Sequence, residues 1–216
     1  IEDIVFTDNC WAAEIRSSSN CVFRQNMVVD NEQGGLHLVV ADAAVVSDCT
    51  FSGNYRSGIS MSKGNDQVIS SNTFIDCGIS MGAQPPPGNT MHCTITDNTV
   101  NGKPLVYLEN EQGKIIKDAG QVILNQCQGI LVRNLDLSYT DKGISVYKSS
   151  FVFILGNTIS HNFHGVGIGN SFFVVLRNNK IIDNWYNGLG LSNNIFTKFS
   201  FNEISGNNIG VYVHQS

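Results

Sequence analysis

A six-residue phrase recurs in the C-terminal half as Asn157-Thr-Ile-Ser-His-Asn162, Asn179-Lys-Ile-Ile-Asp-Asn184 and Asn202-Glu-Ile-Ser-Gly-Asn207, at spacings of 22 and 23 residues. Self-similarity at a fixed period of about 20 to 50 residues is the signature of a repeat architecture. Each phrase is followed by glycine and an alternating apolar run: Gly165-Val-Gly-Ile168, Gly188-Leu-Gly-Leu191 and Gly210-Val-Tyr-Val213. Alternation of period two indicates strand rather than helix. Extended towards the N-terminus, the first position of the phrase falls on Ile4, Cys21, Cys49, Asn72, Cys93 and Asn134. The second falls on Asn9, Asn26, Asn54, Cys77, Asn98 and Tyr139, and glycine-led strands recur at Gly35, Gly58, Gly78, Gly120 and Gly143.

One coil has too few inward side chains to offset the entropy of ordering it, so coils must stack. The chain is therefore expected to be all-β: a single-stranded right-handed parallel β-helix of about nine coils of ~22 residues. Stacking in register predicts a vertical apolar row of Ile59, Ile79, Ile144, Val166, Leu189 and Val211, with Met61 and Met81 in the core beside it. A buried polar side chain at a bend must be hydrogen-bonded. Asn supplies two donors and an acceptor, so like residues one coil apart can form a ladder. Phe151, Phe173 and Phe196 share a coil position and are expected to form an aromatic core row, with an external platform as the alternative.

Two segments break the period and are expected to leave the stack: a proline-rich insertion near 82–90 and a lateral excursion over 99–119. Otherwise one domain over 1–216 is expected, as part of a longer chain, because it starts without Met and shows no capping element. Open strand edges at the two ends raise the prospect of self-association through the β-helix ends. Charged residues are only 14% and the net charge is -5, so no basic field exists for a nucleic-acid partner. No apolar run approaches a membrane span. The six cysteines have no zinc-like spacing; Cys21 and Cys49, expected on adjacent coils, suit either a thiol stack or a bridge.

The Asn-x-Ile-x-x-Asn coils with their Gly-Ile-x-Leu strands resemble the NosD-like and CASH β-helix repeats of the pectin-lyase-like superfamily. The run from Cys93 onward, with Asn98-Thr-Val-Asn-Gly-Lys103 and Asn134-Leu-Asp-Leu-Ser138, is similar to secreted archaeal surface proteins. The resemblance implies an extracellular or cell-surface location and a polysaccharide or surface glycan as partner. It also covers lyases, hydrolases, epimerases and non-enzymatic envelope proteins, so fold alone does not select a reaction.

The bend after the second ladder position carries Tyr55-Arg56, Phe163-His164 and Trp185-Tyr186. Flat sugar faces lie on such rings while His164, Arg56 and the nearby Asn187 bond hydroxyls, which makes the six bend residues the expected binding surface; simple covering of the turn is the alternative. Asp76 and Asp97 are expected at one coil position on neighbouring coils, close enough to act as catalytic carboxylates or to hold calcium, although Asp beside a turn more often bonds the turn itself. His161 and His164 flank one bend and, with the copper suggested by the resemblance, form a thin candidate metal pair. The leading expectation is a non-catalytic extracellular module without cofactor that binds glycans or partner proteins. A polysaccharide lyase, hydrolase or epimerase is the enzyme alternative, and an envelope or filament subunit stacking end to end is the structural one.

Overall fold

The computed structural model describes residues 1–82 and 92–216. The chain forms about nine turns of parallel strands and separates into two compact units, 1–102 and 103–216. The proline-rich insertion lies, from residue 83 to 90, outside the described residues.

In unit 1 the first sheet contains Val5–Thr7, Met27–Val29, Thr50–Ser52, Thr73–Ile75 and Thr99–Val100. A second contains Trp11–Ser19, Gly34–Asp42, Ile59–Ser62 and Ile79–Met81, and a third Val22–Arg24, Val45–Ser47, Gln67–Ser70 and Cys93–Thr96. Register stacks like on like: Ile59 on Ile79, Met61 on Met81 and Phe51 on Phe74. The two phenyl rings lie 5.1 Å apart at 11°, fully buried.

In unit 2 one sheet runs through Lys103–Glu109, Gln121–Asn125, Lys142–Tyr147, His164–Gly169, Asn187–Ser192 and Ile209–His214. A second runs through Ile115–Ile116, Leu131–Arg133, Ser150–Leu155, Phe172–Arg177 and Ile195–Ser200, and a third through Asp136–Ser138, Thr158–Ser160, Lys180–Ile182 and Glu203–Ser205. The expected row holds as Ile144, Val166, Leu189 and Val211. Within unit 2, Lys103–Glu109 pairs with Gln121–Asn125, 16 residues on, and Leu105, Ile116 and Ala119 are buried, so residues 103–119 form a short first coil of that unit.

Polar ladders occupy the bends. In unit 2, Asn157 Oδ1 accepts the Leu135 N–H at 3.0 Å, Asn179 Oδ1 accepts the Asn157 N–H at 2.9 Å, and Asn202 Oδ1 accepts the Asn179 N–H at 2.9 Å. Each amide nitrogen also donates to a strand carbonyl, as Asn179 Nδ2 does to Ile154 at 2.8 Å. Asn162, Asn184 and Asn207 repeat the pattern at the second bend. A third ladder that the repeat phrase does not contain joins Cys127, Ser149, Ser171 and Asn194.

The expected phase slips at several positions. In unit 1 the first ladder is Ile4, Asn26, Cys49, Asn72 and Asn98, and the second includes Asn9, Asn31 and Asn54. Cys21 and Cys93 are on neither: Cys93 pairs with Gln67, and the Cys21 carbonyl accepts the Val45 N–H one bend earlier. Cys21 and Cys49 are thus not stacked, and none of the six cysteines is in a disulfide. In unit 2, Leu135 and Thr140 head the ladders in place of Asn134 and Tyr139. Asn134 and Tyr139 take the preceding position, with φ of 55° and 57°. The aromatic core row is also overturned, because Phe151, Phe173 and Phe196 point outward, exposed by 40%, 39% and 71%.

Asn179→Ala removes both an acceptor and a donor from a buried ladder, and is expected to lower unfolding free energy by roughly 2–3 kcal/mol in urea titration. Glu203→Ala, on an exposed position of the neighbouring coil, is expected to stay within about 0.5 kcal/mol. A second expectation concerns Cys77, whose thiol burial pushes from an ordinary 9.0 up to about 12. Its contribution is intact below the unfolded value and is lost as pH rises towards the folded one, since only the unfolded chain then releases the proton. Between those limits Cys77→Ala should lose stability less steeply than the parent, by up to about 1.4 kcal/mol per pH unit.

Candidate functional site

Backbone stacking after the second ladder of unit 2 sets one aromatic bend upon the next. The Trp185 N–H donates to Asn162 O, and the Tyr186 N–H to Phe163 O, each at 2.8 Å. The Phe163 ring lies 5.3 Å from Trp185 at 29° and 6.0 Å from Tyr186 at 8°. His164 stands edge-on to Phe163 at 4.8 Å and to Tyr186 at 5.5 Å. Four of the six expected binding residues therefore form one cluster, with Trp185 exposed by 63%. The other two, Tyr55 and Arg56, belong to unit 1, where the Tyr55 N–H donates to Asn31 O at 3.2 Å.

Beside the cluster, the outer face of the sheet through Lys142–Tyr147, His164–Gly169 and Asn187–Ser192 is lined by glycine. Register aligns Ser145, Gly167, Gly190 and Tyr212 in one outward column, and Tyr147, Gly169 and Ser192 in another. A Cβ at Gly190 would meet its nearest neighbours only at 3.8 and 3.9 Å, and no positive φ requires glycine there. Glycine weakens a strand interior and marks places where a ligand or backbone comes close. The Lys142 stem lies over Gly167 and the Tyr147 ring over Gly169, so the backbone is open at Gly190, with those two side chains beside it.

Polar groups converge on this trough. Asp141, with a side chain only 5% exposed, accepts a 3.1 Å bond from Lys142 Nζ. The Asp141 carbonyl accepts the His164 N–H at 2.7 Å. Asn187 is 8% exposed, and its Oδ1 is buried with no hydrogen-bond partner, while its Nδ2 lies on the Gly190 side. A buried unsatisfied acceptor costs free energy unless something donates to it. Burial raises the Tyr147 phenol above its usual range, opposed in part by a hydrogen bond with Asn170. Asp141 and Lys142 escape sequence reading because they lie outside the repeated phrase, and only the register sets them beside the rings; Asn187 follows the Trp185-Tyr186 bend directly and was expected there.

The remaining candidates separate. Asp97 stands opposite Ser71 at the first bend of unit 1, whereas Asp76 is at the second bend, its N–H donating to Asn101 Oδ1 at 2.8 Å. They are not stacked as expected, because Asn98 belongs to the first ladder. Both have the left-handed bend conformation, φ 51° and 57°, that Asp tolerates. His161 stacks on Tyr139 at 5.2 Å and 21°, on the far side of Asn162 from His164. Among the described residues no three His, Cys, Asp or Glu side chains gather as a metal site.

Residues 1–119 match the family model described as right handed beta helix region, and residues 87–216 match periplasmic copper-binding protein (NosD). No curated protein sequence matches the chain. Among solved structures, the A-module of Azotobacter vinelandii mannuronan C-5 epimerase AlgE4 aligns with 98% of this chain and 62% of its own, at 16% identity and a TM-score of 0.38. The enzymatically active domain of bacteriophage CBA120 tailspike protein 2 aligns with 88% of this chain and 32% of its own, at 12% identity and a TM-score of 0.37. The chain thus spans less than two thirds of either, and at these identities the likeness carries nothing about activity. With strands paired in parallel one winding apart within each unit and both models matched over more than half of its length, the chain belongs to the right-handed β-helix proteins and to the NosD family.

Proposed function

We propose that unit 2 binds carbohydrate without altering it, through the trough at Gly190 and the rings of Phe163, Trp185 and Tyr186. The observation that carries this reading is the stacked aromatic cluster, with Trp185 exposed by 63%, beside the open backbone at Gly190. A sugar hydroxyl accepts from Asn187 Nδ2 on the Gly190 side, a second bonds the Lys142 and Asp141 pair, and the apolar face of a pyranose lies on an exposed ring. The reading puts the chain outside the cytoplasm, in keeping with the periplasmic description of the NosD family. Among the described residues no third His, Cys, Asp or Glu joins His161 and His164, and Asp76 and Asp97 stand at different bends, so these four do not make a copper or calcium site. The thiols suited to a soft ion are largely committed elsewhere, with Cys49 and Cys127 in ladders and Cys77 fully buried.

One observation favours the enzyme reading: a buried carboxylate and an ammonium meet at Asp141 and Lys142, with His164 as the register partner of Lys142, and such groups can move protons on a uronic acid. The two readings part on turnover. Incubation with acidic and neutral polysaccharides is expected to leave chain length and sugar configuration unchanged; products that vanish in Asp141→Asn would establish catalysis instead.

On a glycan array, Trp185→Ala is expected to weaken binding by about tenfold. Gly190→Val has space for its branch and a better strand residue, so it should melt within a few degrees of the parent yet lose most binding. Retention of full affinity in Gly190→Val would place the ligand elsewhere.

A further inference from the structure

We infer that the outer face of Ser150–Leu155, Phe172–Arg177 and Ile195–Ser200 is a docking surface for an anionic lipid layer. This is separate from the carbohydrate reading, since these strands form a different sheet of unit 2. Register arranges the outward side chains in columns: Ser150, Phe172 and Ile195; Phe151, Phe173 and Phe196; then Phe153, Val175 and Lys198. A fourth holds Arg133, Leu155, Arg177 and Ser200. Phe151, Phe172 and Phe173, with coils on both sides of them, are each exposed by 39–40%.

Phe151, Phe173 and Phe196 have φ of 54°, 54° and 58°, the left-handed conformation that also recurs at bends of this chain, as at Tyr139 and His161. The equivalent place one coil earlier belongs to Gly129, φ 66°, so the rings begin at Phe151 and continue on the next two coils.

Charge selects the occupant. The strands of this face contain no Asp or Glu although the chain carries a net charge of -5, while Arg133, Arg177 and Lys198 border the rings. Among the described residues none of these three cations is in an ion pair, and the Arg177 guanidinium lies over the Phe201 ring at 5.0 Å. A second copy of the face would set cations against cations. A flat sugar or ordered polymer finds no plane, because neighbouring rings meet at 79°, 39°, 42° and 83°. Fluid acyl chains admit uneven apolar tips, and phosphates answer a cationic border.

Sedimentation of the 216-residue chain with vesicles tests this. Binding is expected to vesicles of phosphatidylcholine with about a third phosphatidylglycerol, to weaken with salt, and to be slight on phosphatidylcholine alone. Arg177→Glu and Lys198→Glu should each reduce it about fivefold or more. Phe173→Gly removes a ring while relieving the backbone, so it should unfold no more easily than the parent yet bind vesicles less. Equal binding to neutral vesicles, no binding to anionic ones at low salt, or full binding by Phe173→Gly would overturn the inference. So would capture of polyglutamate by a chain that ignores vesicles, which would assign the face to an acidic polypeptide.

Discussion

Every winding of this chain must turn corners, and each corner buries backbone and side-chain polar groups that water cannot reach. The structure answers with amides placed one above another. An Asn Oδ1 accepts the backbone N–H of the equivalent residue one coil before, and its Nδ2 reaches a strand carbonyl, as at Asn157, Asn179 and Asn202. Because each bond joins one coil to the next, the ladder fixes register, and a one-residue slip would turn inward side chains outward. The aliphatic rows through Ile144, Val166 and Leu189 depend on that register for their burial. Stability is therefore shared between apolar stacking, which drives association of coils, and amide stacking, which makes one alignment preferable to its neighbours.

The same register that orders the interior sorts the exterior. On one sheet of unit 2 it aligns Gly167 with Gly190 and leaves the backbone open at Gly190, next to Asp141, Lys142 and Asn187. On another it aligns phenylalanines with a border of arginine and lysine. Two faces of one repeat thereby acquire unlike chemistry: one hydrogen-bonding and recessed, the other apolar, uneven and cationic. A solenoid permits this because outward positions carry little of the folding load and vary independently of the inward ones.

Much of the site was hidden from sequence reading for a definite reason. Ladder positions within a coil are five residues apart, and Cys21 to Asn26 satisfies that spacing as well as Asn26 to Asn31 does. Only hydrogen bonding across coils distinguishes the two, and it selects the second. The same ambiguity displaced Asp97 from Asp76 and removed the carboxylate pair. The phenylalanine row was recognised as a column, but its direction depended on a left-handed backbone conformation that residue type argues against.

By itself the sequence determined the architecture: an all-β parallel coil with amide ladders, legible because period and alternation are properties of the chain read in order. The aromatic bend at Phe163, His164, Trp185 and Tyr186 was legible on the same ground, since all four follow a repeated phrase. Tertiary structure decided which residues of different coils face each other, and hence the trough, the third ladder and the outward phenylalanines. The physical reason is that coil length varies, from 16 residues between Leu105 and Gln121 to 26 between Phe74 and Val100, so alignment across coils is set by hydrogen bonds and burial rather than by counting.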